Sequence, residues 1–212
     1  MRKIFFATLL AIFFAAQNFC SAAEISAAKF NGNENLIYPV VQTGNAAVDK
    51  RINVAIIAEL DRFVTGVYRN AQENNFTVAD IRTRYEVGSN QAGNTVILSL
   101  LITESNYFKD AAHPSTVKHA LNFNTSSGEL IGLDYLTDVG SGVSVDEILK
   151  RVERALIQKC QRENLYLFDE ALPLKSLPEN FYWDENLHVH FIFQHYDVAP
   201  YAAGIIDVDI EN

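Results

Sequence analysis

Cysteine and basic residues are both scarce in this chain. Of its 212 residues only two are cysteines, and 17 lysines and arginines stand against 26 aspartates and glutamates, which gives a formal net charge of −9. Nucleic-acid phosphates are bound by lysine and arginine, so this composition argues against a nucleic-acid partner. It is compatible with a basic protein partner, because complementary charge speeds encounter.

Long apolar runs are also missing after the first residues. Two basic residues precede an apolar run at 4–16, and Ser21 and Ala23 fit the small-residue pattern of a signal-peptidase site. We therefore predict that residues 1–23 are a signal peptide. Residues 24–212 would then form one secreted or periplasmic domain with no membrane span after cleavage. Removing the two positive charges of the signal leaves a formal net charge of −11 on that domain.

Motifs that carry catalysis or bind metals are absent as well. Cys160, the one cysteine after residue 23, cannot form an intramolecular disulfide, and it follows Val152 and Leu156 at helical spacing. We expect its thiol to be buried and unreactive. The sequence contains no G-x-S-x-G nucleophile elbow and no ligand set with diagnostic metal spacing. It therefore predicts no catalytic residue, no metal and no cofactor.

Two segments carry an apolar residue at every third or fourth position, which predicts two amphipathic helices. The first follows Asn45, a capping residue, and its apolar stripe consists of Val48, Ile52, Ile56, Leu60, Phe63 and Val67. The second starts at Ser144 and Glu147, which have capping-box spacing, and ends near Glu163. Its apolar stripe consists of Val145, Ile148, Leu149, Val152, Leu156 and Cys160.

The rest of the chain alternates apolar and polar residues between turns, which predicts antiparallel strands. The predicted strands are 36–41, 76–89, 95–108, 116–124, 180–183, 187–194 and 204–210. The polar segment 24–35 is expected to be frayed. The predicted fold class is α+β, with one antiparallel sheet packed against the two amphipathic helices.

Histidine and aromatic residues near the C-terminus are the candidate binding residues. His188 and His190 lie two apart in a predicted strand, so both side chains point away from the core residues Val189, Phe191 and Phe193. Tyrosine and tryptophan often anchor recognition surfaces, although here they could equally seal a sheet edge. The full candidate set is His113, Tyr182, Trp183, His188, His190, Tyr196 and Tyr201. The stretch YDVAPYAAG, which holds the last two tyrosines, is predicted first of all to be a corner between the last two strands.

Two motifs resemble a known bacterial extracytoplasmic domain. They are AAHPSTVKHALNFNTSSGELIGLDYL at 111–136 and FYWDENLHVHFIFQHYDVAPYAAG at 181–204. The chain resembles the domain of unknown function in the extracellular part of the anti-sigma factor RsiV, a lysozyme receptor, which also accompanies some peptidoglycan deacetylases. The resemblance implies an α+β domain. The chain has neither a segment that resembles a cytoplasmic anti-sigma region nor the metal ligands of a deacetylase domain.

The resemblance and the acidic charge together predict a secreted, non-enzymatic binding module of the cell envelope. Its expected ligand is a cationic protein such as lysozyme, or peptidoglycan fragments. Two alternatives stay open from the residues alone. One is an envelope hydrolase or metal-dependent enzyme that uses His113, His188 and His190, and the other is a structural interaction protein of the envelope.

Overall fold

The computed structural model describes residues 22–91, 96–138 and 143–211. These residues contain eight strands and three α-helices. The helices are α1 (Ala46–Asn74), α2 (Tyr135–Asp138) and α3 (Val145–Glu163). The strands are β1 (Glu24–Lys29), β2 (Ile37–Gln42), β3 (Val78–Asn90), β4 (Ile97–Phe108), β5 (Ser115–Asn124), β6 (Phe181–Trp183), β7 (Val189–Phe193) and β8 (Ile206–Asp209). This confirms the α+β class. Nearly all of the predicted signal peptide lies outside the described residues.

The strands are antiparallel, as predicted, but they form three sheets where the sequence led us to expect a single one. β1 and β2 form an N-terminal sheet, β3-β4-β5 a central sheet, and β6-β7-β8 a C-terminal sheet. The first half of the segment expected to be frayed is strand β1, which pairs with β2 along its whole length, from Glu24 opposite Gln42 to Lys29 opposite Ile37. Pairing satisfies the backbone groups of this polar segment, and its side-chain composition does not reveal that.

Helix α1 lies on the central sheet, as its apolar stripe predicts. Asn45 caps it by accepting hydrogen bonds from the backbone N–H groups of Ala47 and Val48. The buried residues of the helix are Val48, Ile52, Ile56, Leu60, Val67 and Ala71, and Phe63 is half-buried. Together with Leu98, Leu100, Ile102 and Phe123 of the central sheet they form the first core of the molecule.

Helix α3 builds a second core against the C-terminal sheet. Ser144 accepts a hydrogen bond from the backbone N–H of Glu147, which confirms the predicted cap, and the helix ends at Glu163. Most of the predicted stripe is buried, including Cys160. Val145, in the first turn of the helix, is an exception and is 52% exposed. Burial also raises the pKa of the Cys160 thiol, which fits an unreactive cysteine.

A chain of buried hydrogen bonds joins the central sheet to the C-terminal sheet. The hydroxyl of Ser99 donates to Oδ1 of Asn122 at 2.7 Å and accepts from the backbone N–H of Trp183 at 3.1 Å. The side-chain amide of Asn122 donates to the carbonyl of Phe181 at 2.7 Å. Side chains thus satisfy the free edge of β6, which otherwise would need another strand.

The stretch YDVAPYAAG joins β7 to β8, as predicted for a corner. Pro200 has φ −62°, the following residues make one turn of 3-10 helix, and Gly204 leaves the turn at φ 74° and ψ −166°. Only glycine adopts that last conformation readily. Within the described ranges, no helix is both long and apolar enough to cross a membrane.

Candidate functional site

The seven candidate residues separate into two groups at opposite ends of β7, a strand that spans about 16 Å. The group beyond its C-terminal end consists of His113, Tyr196 and Tyr201. The group around its N-terminal end consists of Tyr182, Trp183, His188 and His190. His113 and His188 thus lie at opposite ends of β7, and among the described residues His113, His188 and His190 do not form one cluster of metal ligands.

The first group is an aromatic cluster built around Tyr201. Its ring lies between those of His113, at a centroid distance of 3.9 Å, and His195, at 4.3 Å, with interplanar angles of 24° and 20°. Tyr196 adds a fourth ring 6.0 Å from Tyr201, and its hydroxyl oxygen is 3.5 Å from Nε2 of His113. We call His113, His195, Tyr196 and Tyr201 the aromatic stack. Three of its members were in the candidate set.

Two loops hold the aromatic stack in place. The hydroxyl of Tyr201 donates to the carbonyl of Pro114 at 3.1 Å, which ties the corner after β7 to the loop before β5. The side chain of Gln194 exchanges two hydrogen bonds with the backbone of Lys118, at 3.0 and 2.8 Å. Tyr196 itself has a left-handed backbone with φ 68°, which turns the chain at this point. The A-H-P motif and the Y-x-x-A-P-Y motif therefore meet in space, although the 81 residues 115–195 lie between them in sequence.

The aromatic stack is accessible to a ligand. Tyr196 is 57% exposed, His113 is exposed, and Tyr201 and His195 are half-buried. Aromatic rings whose orientation is already fixed lose little conformational entropy when they bind, which favours recognition. His195 was not in the candidate set. Its position next to Tyr196 in the second motif was a sequence signal that could have identified it as a candidate.

The second group forms a hydrogen-bonded network on one face of β7 and β8. Nδ1 of His190 lies 2.8 Å from Asp207, and Nδ1 of His188 lies 3.3 Å from Asp209. The hydroxyl of Tyr182 donates to the second oxygen of Asp207 at 2.8 Å. The two histidines do share a face, as their spacing predicts. Their partners lie in the neighbouring strand β8, while Nε2 of His190 is buried 3.6 Å from Asp184 and has no hydrogen bond within the described residues.

The charges in this network shift the pKa values of His190 and Tyr182. Burial disfavours the charged form of His190, but the hydrogen bond to Asp207 and the nearby aspartates outweigh burial and raise its pKa. Burial raises the pKa of the Tyr182 phenol, and the hydrogen bond and negative charge of Asp207 raise it further. The phenol therefore stays a hydrogen-bond donor at neutral pH, and the network holds together through the charge of Asp207.

Trp183 and Tyr182 are buried rather than exposed to a ligand. Trp183 is 5% exposed and packs edge-on against Phe181 and Tyr135, with centroids 5.2 and 5.8 Å away. Tyr182 is 8% exposed and contacts Leu101 of the central sheet. One face of strand β6 packs on the core around α3, and the other face packs on the central sheet. The sequence of β6 alone did not indicate its contact with the central sheet.

A third polar cluster lies between α1 and the central sheet. Glu59 of α1, Glu104 of β4 and His119 of β5 place one ligand-type atom each within 4.8 Å of one another. Glu104 and His119 also border a cavity of about 290 Å³. We call Glu59, Glu104 and His119 the acidic cluster. Burial raises the pKa of Glu104, against the lowering effect of the hydrogen bond to His119. The sequence signal for this cluster was a charged residue, Glu104, within the apolar predicted strand TVILSLLITESNYF.

Comparison with known proteins supports the coarser part of the resemblance. Residues 143–212, which contain α3, the C-terminal sheet and three members of the aromatic stack, match a family model described as a protein of unknown function (DUF3298). No curated protein matches the chain. The specific relation to RsiV and to deacetylases stays a prediction.

Two solved structures of DUF3298 proteins have a similar fold. One is from Bacteroides fragilis NCTC 9343, with 17% identity and a TM-score of 0.52 over 90% of this chain and 88% of that one. The other is from Pseudomonas aeruginosa PAO1, with 12% identity and a TM-score of 0.55 over 89% of each chain. At such identities the likeness is one of fold alone. The fold thus extends beyond the matched C-terminal third to nearly the whole chain.

Proposed function

We propose that this protein is an exported binding module of the bacterial cell envelope, and that the aromatic stack is its recognition surface for a cationic protein such as lysozyme. The observation that carries the proposal is the convergence of two distant sequence motifs on one exposed, pre-organised set of rings. A corner that only reverses the direction of the chain requires neither three stacked rings nor a hydrogen bond to a second loop.

Charge supports the choice of a cationic partner. The domain after residue 23 has a formal net charge of −11, which attracts a basic protein at long range and speeds its encounter. Exposed tyrosines then supply contact area, because a tyrosine combines a large apolar ring with a hydroxyl that can hydrogen-bond. Peptidoglycan fragments are the second ligand that the resemblance implies, and the experiment below separates the two.

The test is isothermal titration calorimetry of the purified protein with lysozyme and, separately, with soluble muropeptides. We expect heat with lysozyme, stronger at low salt than at physiological salt, because salt screens the charges that attract the partner. Tyr201→Ala should weaken binding about tenfold or more, which corresponds to about 1.4 kcal/mol, since it removes the central ring of the stack.

The matched control is Tyr68→Ala. Tyr68 lies on α1 and is 53% exposed, close to the 57% of Tyr196, so its loss removes a similar tyrosine surface from another part of the molecule. It should leave affinity unchanged. Heat with muropeptides alone would change the ligand to peptidoglycan, and absence of heat with both ligands at both salt concentrations would refute the proposal.

Export is tested separately by sequencing the N-terminus of protein recovered outside the cytoplasm. We expect the mature chain to start close to Glu24, where β1 begins. Protein that retains Met1 and stays in the cytoplasm would contradict the export part of the proposal and leave the binding part to calorimetry.

A further inference from the structure

The acidic cluster has the donor spacing of a metal site. Nε2 of His119 lies 3.3 Å from Oε2 of Glu104 and 3.7 Å from Oε1 of Glu59. Donors placed about 2.0–2.2 Å from a tetrahedral zinc ion are about 3.3–3.6 Å apart. The two separations from His119 are within about 0.1 Å of that range, and the third, between the glutamates, is at most 4.8 Å, so side-chain adjustments bring the three atoms around one ion.

A second observation points to a missing partner at the same place. Glu104 is 4% exposed, and its Oε1 atom is buried with no hydrogen-bond partner among the residues that the structure describes. A buried carboxylate oxygen without a partner is costly, and such groups usually have a hydrogen bond, an ion pair or a metal ion. Glu104 also borders the cavity of about 290 Å³, which leaves room for an ion and for further ligands.

Arg62 is the cation now closest to the cluster. Its guanidinium forms an ion pair with Oε1 of Glu59, and its Nε lies 3.3 Å from Oε2. The Arg62 side chain is 63% exposed, whereas that of Glu59 is 14% exposed. Arg62 can therefore swing into solvent, and Glu59 stays in place for another cation. Arg62 acts on Glu104 through its charge, but within the described part of the chain neither Arg62 nor another group donates a hydrogen bond to Oε1 of Glu104.

We infer that Glu59, Glu104 and His119 form a binding site for one divalent transition-metal ion, with Zn²⁺ as the best-fitting member of the class. One imidazole nitrogen and carboxylate oxygens suit zinc, whose open sites combine three protein ligands with one position for water or another small ligand. Two carboxylates would balance the charge of the ion. The ligands come from a helix and two strands of the rigid first core, so the site is pre-organised.

The inference is independent of the proposed function. The acidic cluster lies outside the matched segment 143–212 and involves no member of the aromatic stack. It replaces the sequence-based expectation of no metal. Positions 59, 104 and 119 have no motif spacing, and only the packing of α1 on the central sheet brings them together.

Titration of the metal-free protein with Zn²⁺, followed by calorimetry and by metal analysis after dialysis, tests the site. We expect one ion per chain and a rise in thermal stability, because a ligand that binds only the folded state stabilises it. Glu104→Gln keeps the shape of the side chain but removes its charge, and it should lower affinity at least about tenfold. Arg62→Ala removes the competing cation and should raise affinity.

Two controls separate this site from adventitious zinc on other side chains. Glu86→Gln changes a glutamate on β3 that is 64% exposed and paired with Lys118, and it should leave zinc affinity unchanged. The double variant His188→Asn, His190→Asn removes the other histidine pair and should also bind normally. Absence of stoichiometric binding, full affinity in folded Glu104→Gln, or loss of binding in the double variant would each overturn the inference. Circular dichroism establishes that each variant is folded.

Discussion

The two halves of this molecule use the same architecture but place their polar groups differently. In each half a capped amphipathic helix packs on a three-stranded antiparallel sheet, α1 on the central sheet and α3 on the C-terminal sheet. Among the described residues, the buried polar side chains all lie in strands of the central sheet. They are Thr83, Ser89, Ser99, Glu104, Asn106 and Asn122.

This difference shows where each half can interact with other molecules. The second half has an apolar core that includes Trp183, its polar network lies on the face of β7 and β8 that carries His190, and the aromatic stack lies at the corner after β7. The apolar core of the second half therefore supports groups that can contact other molecules at its surface. The first half keeps charged atoms between helix and sheet, where the dielectric is low and a small cation would be held strongly. The aromatic stack connects the halves, because His113 comes from the first and Tyr201 from the second.

The largest expected effect comes from crowding the seam between the halves. A Cβ atom added to Gly88 would lie 2.5 Å from the carbonyl oxygen of Trp183 and 2.8 Å from the ring of Tyr182. Gly88→Val should therefore lower the free energy of unfolding by about 3 kcal/mol, measured by urea denaturation with the fluorescence of Trp183. Gly66→Val on α1, where an added Cβ meets nothing within 4 Å, should be close to neutral. A wild-type midpoint in Gly88→Val would show that the halves do not depend on this contact.

A smaller effect is expected at the corner that carries the aromatic stack. Gly204 has φ 74° and ψ −166°, and an added Cβ meets nothing within 4 Å, so the cost of a side chain is backbone strain alone. Gly204→Val and Gly204→Ala should both lower stability by about 2 kcal/mol, seen as a reduced melting temperature. Lysozyme affinity measured well below that temperature should be unchanged. Normal thermal stability in both variants would contradict the role of Gly204 in this corner. A much larger effect of valine than of alanine would indicate steric crowding instead of backbone strain.

The smallest effect is the pH dependence of the network on the second half. A histidine whose pKa is raised in the folded state stabilises that state while it is protonated, so this contribution is complete below pH 6.5 and disappears as pH rises through the raised value. His190→Asn should cost about 1 kcal/mol at pH 6 and less at pH 9. Urea midpoints across this range measure the effect. Asp207→Asn removes the main partner and should abolish the same pH dependence, and a wild-type midpoint that rises with pH over this window would refute the assignment.

Much of the fold was predictable because its determinants are local. The stripe from Val48 to Val67 and the caps Asn45 and Ser144 fix α1 and α3 through spacing alone. Strand β1 was missed because its polar residues are stabilised by pairing with β2, a contact that composition does not encode. The division into three sheets was missed for a related reason, since Ser99 and Asn122 satisfy the edge of β6 from a different sheet.

The candidate sites divide along the same line. By itself the sequence determined the helices, most strands, the shared face of His188 and His190, and the two motifs that hold His113 and Tyr201, because each depends on neighbours a few residues away. Tertiary structure alone decided that Trp183 is buried, that His195 completes the aromatic stack, and that Glu59, Glu104 and His119 form one cluster. Those outcomes require segments far apart in the chain to pack together, and no local pattern specifies which segments will meet.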